Sequence, residues 1–365
     1  MPFSDFVGNA ETVARLRALI AANGMNRALL LAGPAGVGKT TLAIMVGLAL
    51  NCQQPPQPGD FCGVCPSCRQ LDPQWRDLDA LAAAALDFRE QQVKTRAREE
   101  APLVLRVHPE IEVFPPDGDF LGMAQARLIG ERGQRRSALG RFWTVVVPAF
   151  DRARWMTQAA LLKTLEEPPP RTALLLLAEN PLELLATVRS RALLLSLAPV
   201  SDPAAMARWL STRRPELAAA ERDALARWAE GRPGRALRLD PAAYRELRRQ
   251  ALTLLAAAAE GRSWAPLFQL TGQAGLAGRP GKERLESLLE ILYSLLQDIL
   301  YLLAGRSEVL RNLDSRVELT SLAQSFNVRK LALATEEADR ILMAARRNAQ
   351  RGLALEAWAL RLASS

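Results

Sequence analysis

Apolar residues change register part-way along this chain. Up to about residue 198, tracts of strand length alternate with segments of helical period, and beyond it the strand signal stops. Val13, Leu16, Leu19 and Ile20 recur every three to four positions, which predicts a helix over about 10–23 with one buried face. Strand-length apolar runs follow at 27–32, 111–114, 142–147, 173–178 and 192–197, the last stopped by Pro199. Helical periods fall at about 40–50, 121–132 and 156–167. Near-continuous apolar strands alternating with helices predict a mainly parallel sheet covered on both faces. Residues 72–100 read as a charged, Ala-rich, helix-prone insertion.

After Pro199 the pattern is helical throughout, punctuated at Gly231-Arg232-Pro233-Gly234, Gly261-Arg262-Ser263, 272–281 and Gly305. Leu285, Leu288, Leu289, Leu292, Leu295, Leu296, Ile299, Leu300, Leu302 and Leu303 cover more than one narrow stripe. Such a helix is either wrapped by its neighbours or faces another subunit. The expected class is therefore α/β followed by all-α.

Composition narrows the class. A chain of 365 residues has room for two or three domains, and 49% hydrophobic with 24% charged residues describes a soluble globular protein. No stretch approaches 18 uninterrupted apolar residues, and Met1-Pro2-Phe3-Ser4-Asp5 lacks the charged and apolar regions of a leader, so the expected location is the cytoplasm. The net charge of +8 suits contact with nucleic acid, but 47 basic residues interspersed with 39 acidic ones suit a solvated Arg-rich surface equally well.

Gly33-Pro34-Ala35-Gly36-Val37-Gly38-Lys39-Thr40 is a complete GxxxxGK[ST] phosphate loop, followed by Thr41 and set between a predicted strand and a predicted helix. Its glycines let backbone N–H groups turn toward phosphate, Lys39 reaches the β- and γ-oxygens, and the Thr40 hydroxyl is placed for Mg²⁺. Hydrolysis needs an acid at the end of a neighbouring strand as well, and the 142–147 strand runs into Pro148 and Ala149. The expectation is a loop that holds ATP or ADP without hydrolysing it, or that holds no nucleotide. Asp151 is the alternative Mg²⁺ ligand if the loop after the strand is rotated.

All four cysteines, Cys52, Cys62, Cys65 and Cys68, fall in one C-x9-C-x2-C-x2-C cluster. Two x2 spacings with Gly63 and Pro66 at the turns form a knuckle, and Cys52 completes a closed tetrahedral zinc site of structural type. Two disulfides or an iron–sulfur cluster are the alternatives. The single histidine, His108, has no second histidine to pair with and reads as a strand-edge residue.

Ala160-Leu161-Leu162-Lys163-Thr164-Leu165-Glu166-Glu167-Pro168-Pro169 resembles the ALLKTLEEPP segment of the bacterial DNA polymerase III clamp-loader subunits. Thr187-Val188-Arg189-Ser190-Arg191-Ala192 resembles their TIRSRC stretch, and Gly231-Arg232-Pro233-Gly234-Arg235-Ala236-Leu237 resembles their lid motif. With Leu50-Asn51-Cys52 and the cysteine knuckle, the likeness covers nearly the whole chain. It implies an AAA+ P-loop parallel-sheet domain over 1–198 with a zinc module at 52–68 and an insertion at about 72–107. A small helical lid over 199–240 and a helical collar over 241–365 complete the implied architecture, the collar joining subunits into a pentameric hetero-oligomer. The implied partners are γ/τ and δ subunits, the sliding clamp and primed DNA. Two departures stand out: Ala192 replaces the motif's cysteine, and 72–107 has no counterpart.

Counting back from Ala160 puts the family's acidic pair on Pro148 and Ala149, so a hydrolytically silent member is implied. Arg191 is then the arginine finger presented in trans to a neighbour's ATP, with an interior salt bridge as the alternative role and Arg189 as the neighbouring arginine that could be mistaken for it. Arg235 falls at the second-sensor position or starts the lid helix, and Glu179 or Asn180 falls in the first-sensor region. Glu166 and Glu167 are adjacent on a helix, about 100° apart, and do not form an acid/base pair. The rival readings are an active γ/τ-type ATPase that uses Asp151, and a zinc-containing DNA-binding or repair accessory protein.

Overall fold

The computed structural model describes residues 2–25, 27–92, 102–118, 120–132, 141–260, 278–346, 357–358 and 361. Contacts divide it into two compact units, 1–209 with 231–235, and 210–230 with 236–365.

The first unit is built on six strands: β1 (Ala28–Ala32), β2 (Leu105–His108), β3 (Ile111–Val113), β4 (Trp143–Val147), β5 (Thr172–Ala178) and β6 (Ala192–Ser196), in the order β2-β3-β4-β5-β1-β6. All neighbours are parallel except β2, which pairs antiparallel with β3. β1 lies between β5 and β6, with Leu29 opposite Leu175 on one side and Leu193 on the other. Its side chains feed two cores. Leu29 and Leu31 pack with helices α1 (Ala10–Ala21) and α2 (Lys39–Asn51), whereas Leu30 packs with α4 (Met123–Arg132) and the helices that follow β4. Burial on both faces is why these strands read as unbroken apolar runs. Gly47, in the middle of α2, lets the helix cross close above the sheet: a Cβ there would meet Ile111 Cδ1 at 2.7 Å.

Several expectations need correction. β2 carries the exposed Arg106 between buried positions and lacks an apolar run, so it left no strand signal. The 156–167 helix is two, α5 (Trp155–Ala160) and α6 (Leu162–Glu166), joined at Leu161. A short helix, α7 (Ala186–Arg191), precedes β6. The insertion contains α3 (Leu78–Gln92), while its residues 93–101 lie outside the described residues. The breaks at Gly261-Arg262-Ser263 and 272–277 also lie outside them, and 278–281 belong to a helix.

Beyond β6 come α8 (Pro203–Arg213), α9 (Ala219–Trp228), α10 (Pro233–Arg238), α11 (Pro241–Glu260), α12 (Gly278–Leu303), α13 (Arg316–Ala323) and α14 (Val328–Arg346). α12 packs against α11, α13 and α14. Its leucines from Leu285 to Leu296 and Ile299 are buried, whereas Leu300 and Leu303 near its end are exposed. Polar groups cross-link this unit. The fully buried Asp298 accepts from the backbone N–H groups of Arg311 and Asn312 at 2.9 and 2.8 Å. Arg248 donates to Asn312 Oδ1 at 3.1 Å, pairs through two nitrogens with Asp314, and lies over the stacked rings of Trp228 and Tyr244. Among the described residues, no helix is long and apolar enough to cross a membrane.

Candidate nucleotide, metal and arginine sites

The phosphate loop leaves β1 at its carboxyl end and enters α2, as the motif requires. Gly36 and Gly38 have φ of +80° and +100°, conformations that favour glycine. A Cβ on Gly33 would meet the Leu197 carbonyl oxygen at 2.2 Å, so that glycine is fixed by the approach of the chain leaving β6. Lys39 Nζ donates to the carbonyls of Gly33 and Pro34 at 2.6 and 2.9 Å. Burial lowers its pKa, and the charges of Glu179 and Asp151 oppose that shift. Phe6, on which the motif is silent, covers the loop: its ring lies 2.9 Å from the position of a Cβ on Gly38. The segment that carries it is held by Asn9, which exchanges two hydrogen bonds with the backbone of Ala198 at 2.8 and 2.9 Å.

The lid motif reaches the same loop. Gly234 N–H donates to the Gly36 carbonyl at 2.7 Å, and the backbone nitrogen of Arg235 would lie 3.1 Å from a Cβ on Gly36. Arg235 is thus anchored beside the phosphate loop and also lies in the first turn of α10.

β4 ends at Val147, and the chain turns through Pro148 and through Ala149, whose φ is +48°. Neither residue carries a carboxylate. Asp151 returns beyond the turn, where its Oδ2 accepts from the backbone N–H groups of Glu179 and Asn180 at 2.8 and 2.9 Å. Its Oδ1 is buried without a hydrogen-bond partner. One oxygen thus ties the end of β4 to the end of β5, and the charge acts on Lys39. The geometry also separates the two first-sensor candidates. Asn180 Oδ1 accepts from Leu182 N–H, which commits its side chain to a local cap, while the Glu179 carboxylate acts on Lys39 and pairs with Arg152 at 3.7 Å.

Arg191 lies at the last position of α7, with its side chain 33% exposed. Its Nε donates to Glu166 Oε1 at 2.6 Å, Nη2 lies 2.5 Å from the same oxygen, and Nη1 donates to the Thr187 carbonyl at 3.0 Å. The ion pair within the chain therefore exists, at the surface and not in the interior. Glu166, at the end of α6, is its partner, a role the motif did not indicate.

The four cysteine Sγ atoms lie within 4.8 Å of one another, with Cys52 to Cys62 at 3.6 Å and Cys52 to Cys65 at 4.0 Å. No disulfide joins them. Four sulfurs bound to zinc at about 2.3 Å lie roughly 3.8 Å apart, so the cluster fits a tetrahedral ion. Backbone N–H groups of Cys62, Cys65 and Cys68 donate to Cys52, Cys62 and Cys65 Sγ at 3.3, 3.3 and 3.5 Å, the arrangement that stabilises thiolate. Burial opposes ionisation of Cys65, but these donors and the neighbouring thiols outweigh it and bring the thiol down to about 6. Cys68 is pushed up by burial and by Cys65.

Two polar contacts brace the knuckle. Asn51, at the end of α2, donates to the Phe142 carbonyl at 2.9 Å and accepts from the Phe142 N–H at 3.1 Å, which docks the helix carrying Cys52 onto the start of β4. His108 Nδ1 accepts from Glu110 N–H at 3.0 Å, so its other nitrogen carries the proton and donates to the Ser67 carbonyl at 3.0 Å. Burial lowers the pKa of this imidazole and keeps it neutral. The lone histidine joins the knuckle to β2.

Residues 8–201 match the family described as "DNA polymerase III, delta subunit". The chain is 31% identical over 226 residues to the DNA polymerase III subunit delta' of Pseudomonas aeruginosa, covering 61% of this chain and 58% of that protein. It is 29% identical over 192 residues to the subunit gamma/tau of Mycobacterium tuberculosis, covering 52% of this chain and 27% of that protein. A solved DNA polymerase III gamma subunit-related protein of Thermotoga maritima is similar at 16% identity and a TM-score of 0.48, over 97% of this chain and 99% of that one. The chain thus spans from about a quarter to three-fifths of the length of these curated relatives.

Proposed function

The chain belongs to the DNA polymerase III delta-subunit family, and on that premise we propose that it is the δ′-type, hydrolytically silent subunit of a clamp loader. In this reading it works as a stator in a pentameric ring with γ/τ-type and δ-type subunits, which opens the sliding clamp and places it on primed DNA. The observation that carries the reading is the strand end after Val147. The phosphate loop is intact, but β4 runs into Pro148 and Ala149, whose side chains offer neither a ligand for Mg²⁺ nor a group to orient water.

Gly33 to Thr41 then hold ATP or ADP without turning it over, with Arg235 beside the loop. Arg191 supplies its guanidinium to the ATP of the adjacent subunit, where a planar, always-charged group neutralises charge on the transferring phosphoryl. The cysteine knuckle holds one structural zinc, residues 199–240 act as the lid, and 241–365 form the collar.

Arg191→Ala in a reconstituted ring tests the assignment. Loss of a trans arginine costs on the order of 10³ to 10⁵ in rate at the site it serves, and less over a ring whose other sites keep their own. Normal assembly with reduced clamp-stimulated ATPase supports the reading, and an unchanged rate rejects the finger.

One observation favours the γ/τ-type reading: Asp151 brings a negative charge to Lys39 with Oδ1 unbonded. ATP turnover by the isolated chain that disappears on Asp151→Asn would establish that rival.

A further inference from the structure

Glu166 and Arg191 come from different helices and meet at the surface. The guanidinium uses all three of its nitrogens within its own chain: Nε and Nη2 on Glu166 Oε1, and Nη1 on the Thr187 carbonyl, with Ser190 Oγ a further 3.4 Å contact. The Nε and Nη2 edge held by Glu166 is the edge by which arginine grips oxyanions through two hydrogen bonds. Any phosphate that takes Arg191 by this edge must first displace a carboxylate.

The exchange is physically easy. Both partners are exposed, at 33% and 47% of their side chains, and ion pairs in such positions are weak and screened by salt. A γ-phosphate carries more charge than a carboxylate and presents more acceptor oxygens. It therefore displaces Glu166 once a neighbour brings it within reach, whereas water or a phosphate-free site does not.

We propose that Glu166 is a latch on the finger: it competes for Arg191 in cis until engagement of clamp and DNA brings the neighbour's ATP within reach, and so suppresses hydrolysis in the idle ring. This rests on Arg191 serving as the finger. Glu166 touches no substrate and acts only through Arg191.

The test is a double-mutant cycle in the reconstituted ring. Steady-state ATPase without clamp or DNA is measured for wild type, Glu166→Ala, Glu166→Gln, Arg191→Ala and the Glu166→Ala/Arg191→Ala pair, with assembly checked by gel filtration and folding by thermal melting. Removing a competitor of this strength is expected to raise the basal rate about two- to five-fold in both Glu166 variants. The double variant is expected to match Arg191→Ala. A rate lowered or unchanged in the Glu166 variants, with Arg191→Ala still impaired, overturns the latch and leaves the finger standing. An equal rise with Arg191 absent shows that Glu166 acts through another group and also overturns it. An Arg191→Ala ring that also keeps the wild-type clamp-stimulated rate removes the finger and the latch together.

Discussion

Gly234 donates its backbone N–H to the carbonyl of Gly36 at 2.7 Å, which puts the lid motif in direct contact with the phosphate loop. A Cβ on Gly36 would meet the nitrogen of Arg235 at 3.1 Å, and the φ of +80° at Gly36 disfavours any side chain. Gly36→Ala is therefore expected to destabilise the first unit by about 1 to 2 kcal/mol and to weaken nucleotide retention. Thermal melting with titration of a fluorescent ADP analogue measures both, and a variant with wild-type melting and binding would refute the close contact.

The cysteine knuckle should hold one zinc per chain in reduced protein, because four thiolates close the coordination shell and metal binding is coupled to local folding. Chelation should loosen residues 52–68 and also the β2–β3 hairpin, since His108 bonds to Ser67. Hydrogen exchange on both segments, beside metal analysis, checks this. Protein purified under reducing conditions without zinc rules out the site, and a hairpin that keeps its protection rules out the coupling. His108→Ala, which removes the acceptor of the Glu110 N–H and one of the two donors to the Ser67 carbonyl, the other being Gln70 N–H, should cost roughly 1 to 2 kcal/mol.

Isolated chain should turn over no ATP above background, and Lys39→Ala should change clamp loading by the assembled ring very little. Lys39 is tied to the Gly33 and Pro34 carbonyls, and β4 runs straight into Pro148 and Ala149, with Asp151 only beyond the turn and engaged by the Glu179 and Asn180 N–H groups. A phosphate-release assay on the isolated chain is sufficient. Turnover sensitive to both Lys39→Ala and Asp151→Asn would reverse the assignment to a working ATPase.

Arg248 joins Asn312 and Asp314 within the second unit, and Arg248→Ala should lower stability by on the order of 2 kcal/mol by removing the Asp314 ion pair and leaving Asn312 Oδ1 with only the long bond from the Tyr244 hydroxyl. Burial acts to raise the pKa of Asp314, but Arg248 outweighs it and holds the group below its usual 3.8. A carboxyl with a depressed folded pKa contributes stability above its unfolded value and loses it as pH falls through the folded one. The melting difference between wild type and Asp314→Asn should accordingly be full at neutral pH and shrink below about pH 4. A difference independent of pH would show that charge is not what the pair contributes.

Much of this was legible in one dimension because the underlying signals are local. The apolar runs of β1, β4 and β5, the phosphate loop and the x2 cysteine spacings each depend on residues close in sequence. β2 was hidden because an edge strand of four residues interrupted by Arg106 has no apolar run. The break at Leu161 lies inside a segment whose composition suits one longer helix. The pairings of Glu166 with Arg191, Ser67 with His108 and Asn51 with Phe142 join residues far apart along the chain, and no periodicity reports them. Glu166 looked like a helix end, and only the fold shows what its carboxylate touches.

The strand order bears on how the protein is made. β1 precedes the other five described strands in the chain, yet Leu29 pairs with Leu175 and Leu193, both made far later. Until both later strands have emerged, the phosphate loop hangs from an apolar segment with two open edges, in a topology whose non-local pairings close slowly and stay prone to aggregation meanwhile. A stalled or truncated chain ending before β5 would thus carry an intact GKT motif and no site, and would be a substrate for chaperones and proteases before it could compete for a place in a ring.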